Sequence, residues 1–155
     1  MVAERLEKHE LFGLLGPTEV ERLSNASSVV ALKDGDRLYS EGHPASHIFV
    51  LLKGRVELRR AAARGTAFVV DDLLPGSIFG VSSLIGTERF LLNAECTEDS
   101  EALKIEAKVL RRLLDENPRV GYAVQRRISE ILFKRYVAAM EGFQTAAQTA
   151  AAGRN

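Results

Sequence analysis

The stretch Phe79-Gly80-Val81-Ser82-Ser83, with Arg89-Phe90 and Asn93 after it, collects groups that could hold a small anion. Phe79, Val81, Leu84 and Ile85 recur at roughly helical spacing between Gly80 and Gly86, which predicts a short helix opening on Gly80. The first backbone N–H groups of a helix lack partners within it and point outward, which suits negative charge. The hydroxyls of Ser82 and Ser83 and the guanidinium of Arg89 add donors, and Asn93 closes the segment. A second group, His43 and His47 near Glu41, has the side-chain types of a transition-metal site. It lies in the turn-like run HPASH, and surface turn histidines are the simpler reading. His9 reads as a partly buried packing residue. There is no nucleophile elbow, no P-loop and no paired catalytic carboxylate motif, so no enzyme is expected.

The elements that must position these groups fall into three blocks. Residues 4–12 read as a short amphipathic helix with Leu6, His9 and Phe12 near one face, and Pro17 opens a second helix at a position where its missing N–H costs nothing. Residues 28–106 alternate short apolar runs with Asp34-Gly35, Gly42-His43-Pro44, Lys53-Gly54, Arg64-Gly65 and Pro75-Gly76. Turn signals every 8–12 residues predict a β-sandwich or barrel-like roll. HIFVLL is apolar on both faces and reads as a central strand; RVELRR alternates, with Val56 and Leu58 inward. From Ala107 the period becomes helical: AKVLRRLLDE is one helix, and Pro118 starts a longer one. Along it Val120, Val124, Ile128, Ile131, Leu132, Tyr136, Met140 and Phe143 recur every three or four residues. A stripe of that length needs a partner surface, and a two-fold contact with its own copy is the preferred reading. Arg126, Arg127, Lys134 and Arg135 read as the solvated edge of this dimer helix.

The 155 residues are enough to bury a core without disulfides, and 46% hydrophobic with 27% charged residues is ordinary for a globular domain. The single cysteine, Cys96, excludes an intramolecular disulfide and reads as a small core residue. Twenty-one basic side chains balance 21 acidic ones, which argues against a strongly basic nucleic-acid binder. The balance hides a split: residues 1–106 carry a net of −5 and residues 107–155 a net of +5, while residues 71–106 alone carry −6. No membrane-length apolar run or signal-peptide core is present, so the cytoplasm is the expected location.

In LFGLL, LKDGDRLYSEGHPASHIFVLLKGRVEL, LLPGSIFG and TEDSEALKIEAKVLRRLLDENP the chain resembles the cyclic nucleotide-binding domain. That domain is the effector domain of transcription factors of the catabolite-activator and fumarate–nitrate-regulator type. The likeness covers roughly residues 6–143. The resemblance implies a mainly β fold with flanking helices, a double-stranded β-helix (jelly roll) with N-terminal helices and a long C-terminal helix. With the stripe and the Ala/Gln/Thr/Gly composition after it, the expected division is a domain over residues 1–117, a dimerisation helix over 118–143 and a disordered tail over 144–155. It also implies a non-enzymatic, small-molecule-sensing regulatory module that signals through a homodimer helix.

The ligand-binding segment carried over from the family is Gly80, Val81, Ser82, Ser83, Arg89, Phe90 and Asn93. The family's cassette glutamate, which takes a ribose hydroxyl, is Val81 here. Phe90 stands at the position of the arginine that pairs with the cyclic phosphate, and Arg89 comes one residue early. In an extended segment that shift turns a side chain to the other face. Each loss costs on the order of 1.5–3 kcal/mol. With the −6 segment, this argues against cAMP or cGMP; no cofactor is expected, with a cyclic nucleotide or another small anionic ligand as the alternative. Val81 and Phe90 together would make the former pocket apolar, and a Val81→Glu, Phe90→Arg double change would regain nucleotide affinity. The alternatives are a ligand-free protein-interaction scaffold on the same fold and a cupin-like metal enzyme. The sequence stops before a helix-turn-helix unit would begin, so sequence-specific DNA binding by this chain alone is not expected.

Overall fold

The computed structural model describes residues 1–154; Asn155 lies outside the described residues. Helices α1 (Val2–Lys8) and α2 (Pro17–Asn25) precede eight strands: β1 (Ser27–Leu32), β2 (Arg37–Tyr39), β3 (His47–Lys53), β4 (Val56–Ala61), β5 (Ala67–Leu73), β6 (Ile78–Phe79), β7 (Asn93–Cys96) and β8 (Ser100–Glu106). Helices α3 (Ala107–Glu116) and α4 (Pro118–Ala152) close the chain. The strands form two four-stranded antiparallel sheets, ordered β1-β8-β3-β6 and β2-β7-β4-β5. This is the jelly roll with flanking helices that the turn spacing predicts.

Period-two alternation explains where the core sits. In β3, Phe49 and Leu51 point between the sheets, where they meet Leu58, Leu73 and Phe79. Ile48 and Val50 of the same strand point outward, onto a second cluster formed with Leu6, Phe12, Leu110 and Val124 of the helices. The HIFVLL run is therefore buried on both faces because its sheet has a layer on each side. Gly54 makes the turn by which the chain crosses from β3 in one sheet to β4 in the other, at φ +92°, and a Cβ there would lie 2.6 Å from the Asp99 carbonyl oxygen. Both the conformation and the space require glycine.

Pro17 and Pro118 occupy first helical positions, and the Asn117 side chain accepts from the Val120 N–H at the start of α4. Two expectations about α4 need correction. The segment 144–152, expected as a disordered tail, continues the helix, as its alanine-rich composition favours. The eight-residue stripe is not one dimer seam. Val124 and Ile128 are fully buried in the chain's own core, and Val120, Ile131 and Leu132 are half-buried against it. Only Tyr136, Met140 and Phe143 of that set are open, joined by Phe133 and Val137. The first three turns of the stripe pack on the roll, which leaves the rest of a helix about 50 Å long to face outward.

Candidate functional site

The segment from Ile78 to Asn93 leaves the roll, makes one tight turn and returns. Gly80 sits at φ +70°, ψ 30°, with Phe49 and Tyr39 carbon atoms 3.2 Å from where a Cβ would be. A four-residue 3₁₀ turn, Val81–Leu84, follows. The Ser82 carbonyl closes it, accepting from the Ile85 and Thr87 N–H groups (3.2 and 3.0 Å) and from the Thr87 hydroxyl (3.0 Å). The expected helix is thus a single short turn. The Ser83 hydroxyl is buried and finds no hydrogen-bond partner among the described residues.

The returning segment pairs with the turn after β2 through an isolated β-bridge. Gly42 donates to the Phe90 carbonyl, Phe90 to His43 and Ala45 to Glu88, at 2.8 to 2.9 Å. Alternation along this ladder separates the two adjacent residues. Arg89 is exposed and donates from Nη1 to the Gly42 carbonyl at 2.7 Å. Phe90 is buried and stacks on Tyr39, with ring centroids 3.8 Å apart and planes within 12°. Tyr39, Phe49, Phe79 and Phe90 fill the interior beside Gly80 with aromatic rings. Asn93 turns its Oδ1 to the Glu41 N–H at 2.7 Å and fastens the loop.

The structure therefore does not bring Val81 and Phe90 into one apolar pocket. Phe90 belongs to the cluster between the sheets, whereas Val81 packs into the helix-side core. The −6 of residues 71–106 is also not a local field. Asp71, Asp72, Glu95 and Asp99 pair with Arg135, Arg55, Arg37 and Arg59, and Lys33, all from outside the segment. The hydrogen bond and charge of Arg55 hold the Asp72 carboxyl below its usual range. For Asp99 the Asp34 backbone N–H does so first, helped by Lys33.

Three more side chains complete the site: Gln125 and Tyr39, which the sequence reading did not single out, and Arg135, which it placed elsewhere. Gln125 of α4 donates to the Leu84 carbonyl at 3.1 Å. Arg135, one α4 segment further on, donates to the Ile78 carbonyl and lies 3.3 Å from Asp71. Tyr39 stands beside both Arg135 and the Gly80 backbone; burial pushes its phenol above the usual range, against the opposing pull of Arg135 and Gly80. Burial likewise lowers the Arg135 guanidinium, with Asp71 opposing. Arg135 is thus a half-buried anchor, a correction to its reading as a solvated edge residue. It lies four residues after Ile131 and seven after Ile128, on the core-facing stripe, which is the signal that could have marked it.

His47 accepts or donates at 2.8 Å to Ser46, and burial, then Lys104, lowers its imidazole pKa. Among the described residues no group of three His, Cys, Asp or Glu is placed to hold a metal ion. No described helix is long and apolar enough to cross a membrane.

Comparison with known proteins gives a consistent picture. The family description "cyclic nucleotide-binding domain" matches residues 29–117. A CRP-like cAMP-activated global transcriptional regulator of Mycobacterium tuberculosis is 20% identical over 118 residues, covering 76% of this chain and 53% of the regulator. A global nitrogen regulator of Nostoc is 32% identical over 95 residues, 59% of this chain and 42% of that protein. The chain thus spans about half the length of these relatives. Among solved structures, a cyclic nucleotide-binding protein from Geobacter metallireducens superposes with a TM-score of 0.77 at 25% identity, over 88% of this chain and 98% of that one. The sensor domain of the Pseudomonas aeruginosa transcriptional regulator DNR does so at 0.76 and 23%, over 87% and 91%.

Proposed function

The chain belongs to the cyclic nucleotide-binding domain family, and on that premise we propose that it is a non-enzymatic sensing module that reports the state of its Ile78–Asn93 segment through α4. The carrying observation is that α4 holds the first turn of this segment at both ends. Gln125 takes the Leu84 carbonyl and Arg135 takes the Ile78 carbonyl, about 15 Å apart along one helix. Anything that moves the turn must break or carry these bonds, so a ligand with different affinity for two turn positions would shift the helix. The unpartnered Ser83 hydroxyl inside the turn supports a polar ligand.

The relative from Mycobacterium is named as cAMP-activated. This chain is proposed to differ. A stacked, buried phenylalanine stands where the family's arginine would meet a cyclic phosphate, and Arg89 is committed to the Gly42 carbonyl on the outer face. Calorimetric titration with cAMP and cGMP is expected to give no binding heat at millimolar ligand. Saturable binding in the micromolar range would overturn this point.

The output is proposed to be a homodimer. Phe133, Tyr136, Met140 and Phe143 are 45–76% exposed and spaced three, four and three residues apart, the a/d pattern of a two-helix seam. Phe143→Glu is expected to raise the dimer dissociation constant about tenfold, read by sedimentation, since burying one unpaired carboxylate costs at least ~1.4 kcal/mol. A wild-type chain that stays monomeric at 100 µM, taken on the order of usual homodimer conditions, would remove the dimer reading.

A further inference from the structure

Away from the Gly80–Asn93 segment, a cleft of about 570 Å³ opens between the end of α1, the turn before β6 and the face of α4. Four cations line it, Lys8, Arg127, Lys134 and Arg135, against two acids, Glu10 and Glu130. Glu130 is already engaged by Arg126 at 3.7 Å and Arg127 at 3.3 Å, whereas Lys134 pairs with no acid among the described residues. Arg127 and Lys134 are seven residues apart and share a helix face. Beneath them the floor is apolar, formed by Ile78, which is buried, and Ile131, which is half-buried.

The wall opposite α4 is fixed. His9 accepts from the Leu11 N–H on Nδ1 (3.2 Å), which leaves Nε2 as the donor to the Gly76 carbonyl at 2.9 Å. The imidazole spends both nitrogens on tying the N-terminal segment to the turn before β6, so the cleft does not depend on a loose loop.

We infer that this cleft binds a small organic anion. Its apolar body lies on Ile78 and Ile131, and its phosphate or carboxylate group reaches Lys134 and Arg127. The volume is that of a small-molecule site, and an apolar floor with a few convergent charges is the usual build of one. Charge-assisted hydrogen bonds from a guanidinium and an ammonium suit phosphate and carboxylate alike. The cleft borders the sensing segment at Ile78 and Arg135, but the groups proposed to hold the anion, Lys134 and Arg127, lie outside that segment and its anchors, so the failure of this site leaves the sensing proposal standing.

The test uses the full chain, labelled with nitrogen-15 and titrated with phenyl phosphate and, in parallel, with inorganic phosphate. Phenyl phosphate is expected to move the amides of Lys8–Glu10, Gly76–Ile78 and Arg127–Arg135 as one saturable set, more tightly than inorganic phosphate does. Lys134→Glu, an exposed position, is expected to weaken it about tenfold, and Lys108→Glu, equally exposed but remote from the cleft, to leave it unchanged. Three results would overturn the site: equal weakening by both variants, shifts scattered over basic residues elsewhere, or shifts confined to Gly80–Asn93. Equal affinity for inorganic phosphate would overturn the role of the apolar floor.

Discussion

Phe90→Arg is expected to lower the unfolding free energy by about 3–5 kcal/mol or more, and to create no nucleotide site. Truncating a buried phenylalanine alone costs on that scale. The Phe90 ring is 5% exposed, stacked on Tyr39 and buried in one cluster with Phe49 and Phe79. A guanidinium there would be desolvated, and among the described residues no carboxylate is buried to pair with it. Denaturant unfolding followed by tyrosine fluorescence measures the loss, and Phe90→Leu, which keeps an apolar side chain, is expected to cost distinctly less. Adding Val81→Glu deepens the loss, because Val81 is 7% exposed in the helix-side core. The double change written from the sequence to restore a nucleotide pocket is therefore expected to unfold the protein first. A Phe90→Arg protein as stable as the wild type would show that the ring can leave the interior, and would reopen the pocket.

The fold was legible because its signals are local. Lys53-Gly54 announces a turn between strands through a backbone conformation and a space that only glycine fits. HIFVLL announces a central strand because both of its faces carry apolar residues and both are covered. The site was legible as a segment but not as a geometry. Alternation told Arg89 from Phe90, yet no local pattern says that Val81 and Phe90 enter different cores on either side of one sheet. Charge summed along the chain misled for a related reason. Acids at 71, 72, 95 and 99 meet bases at 135, 55, 37, 59 and 33, partners that only the roll brings together. Helical periodicity found the α4 stripe but could not tell the turns that pack on their own domain from those left for another chain. That boundary depends on where the roll ends.

It falls at Arg135, and removing this side chain is the sharper test of how α4 is coupled to the roll. Most ion pairs on this protein are of the surface kind worth little; Lys8–Glu4, with side chains 75% and 64% exposed, is an example. Arg135 and Asp71 are only 21% and 30% exposed, and the guanidinium also serves the Ile78 carbonyl. Arg135→Met keeps the aliphatic reach and removes the charge. It is expected to cost about 1.5–3 kcal/mol, the range for hydrogen bonds made by charged groups, and Lys134→Met next to it about zero. The loss should be directional as well as large. Hydrogen exchange is expected to quicken from Ile78 to Leu84 and along α4 after Ile131, while β3 and β8, buried in the centre of their sheet, stay protected. In a double-mutant cycle with Asp71→Asn the two changes should not add, because each removes the same pair. Additive losses, or exchange that quickens evenly over the whole domain, would mean that Arg135 merely stabilises the fold. Loosening confined to the turn and the distal helix would mean that the segment bearing Gly80 and the helix bearing Phe143 move as one linked unit.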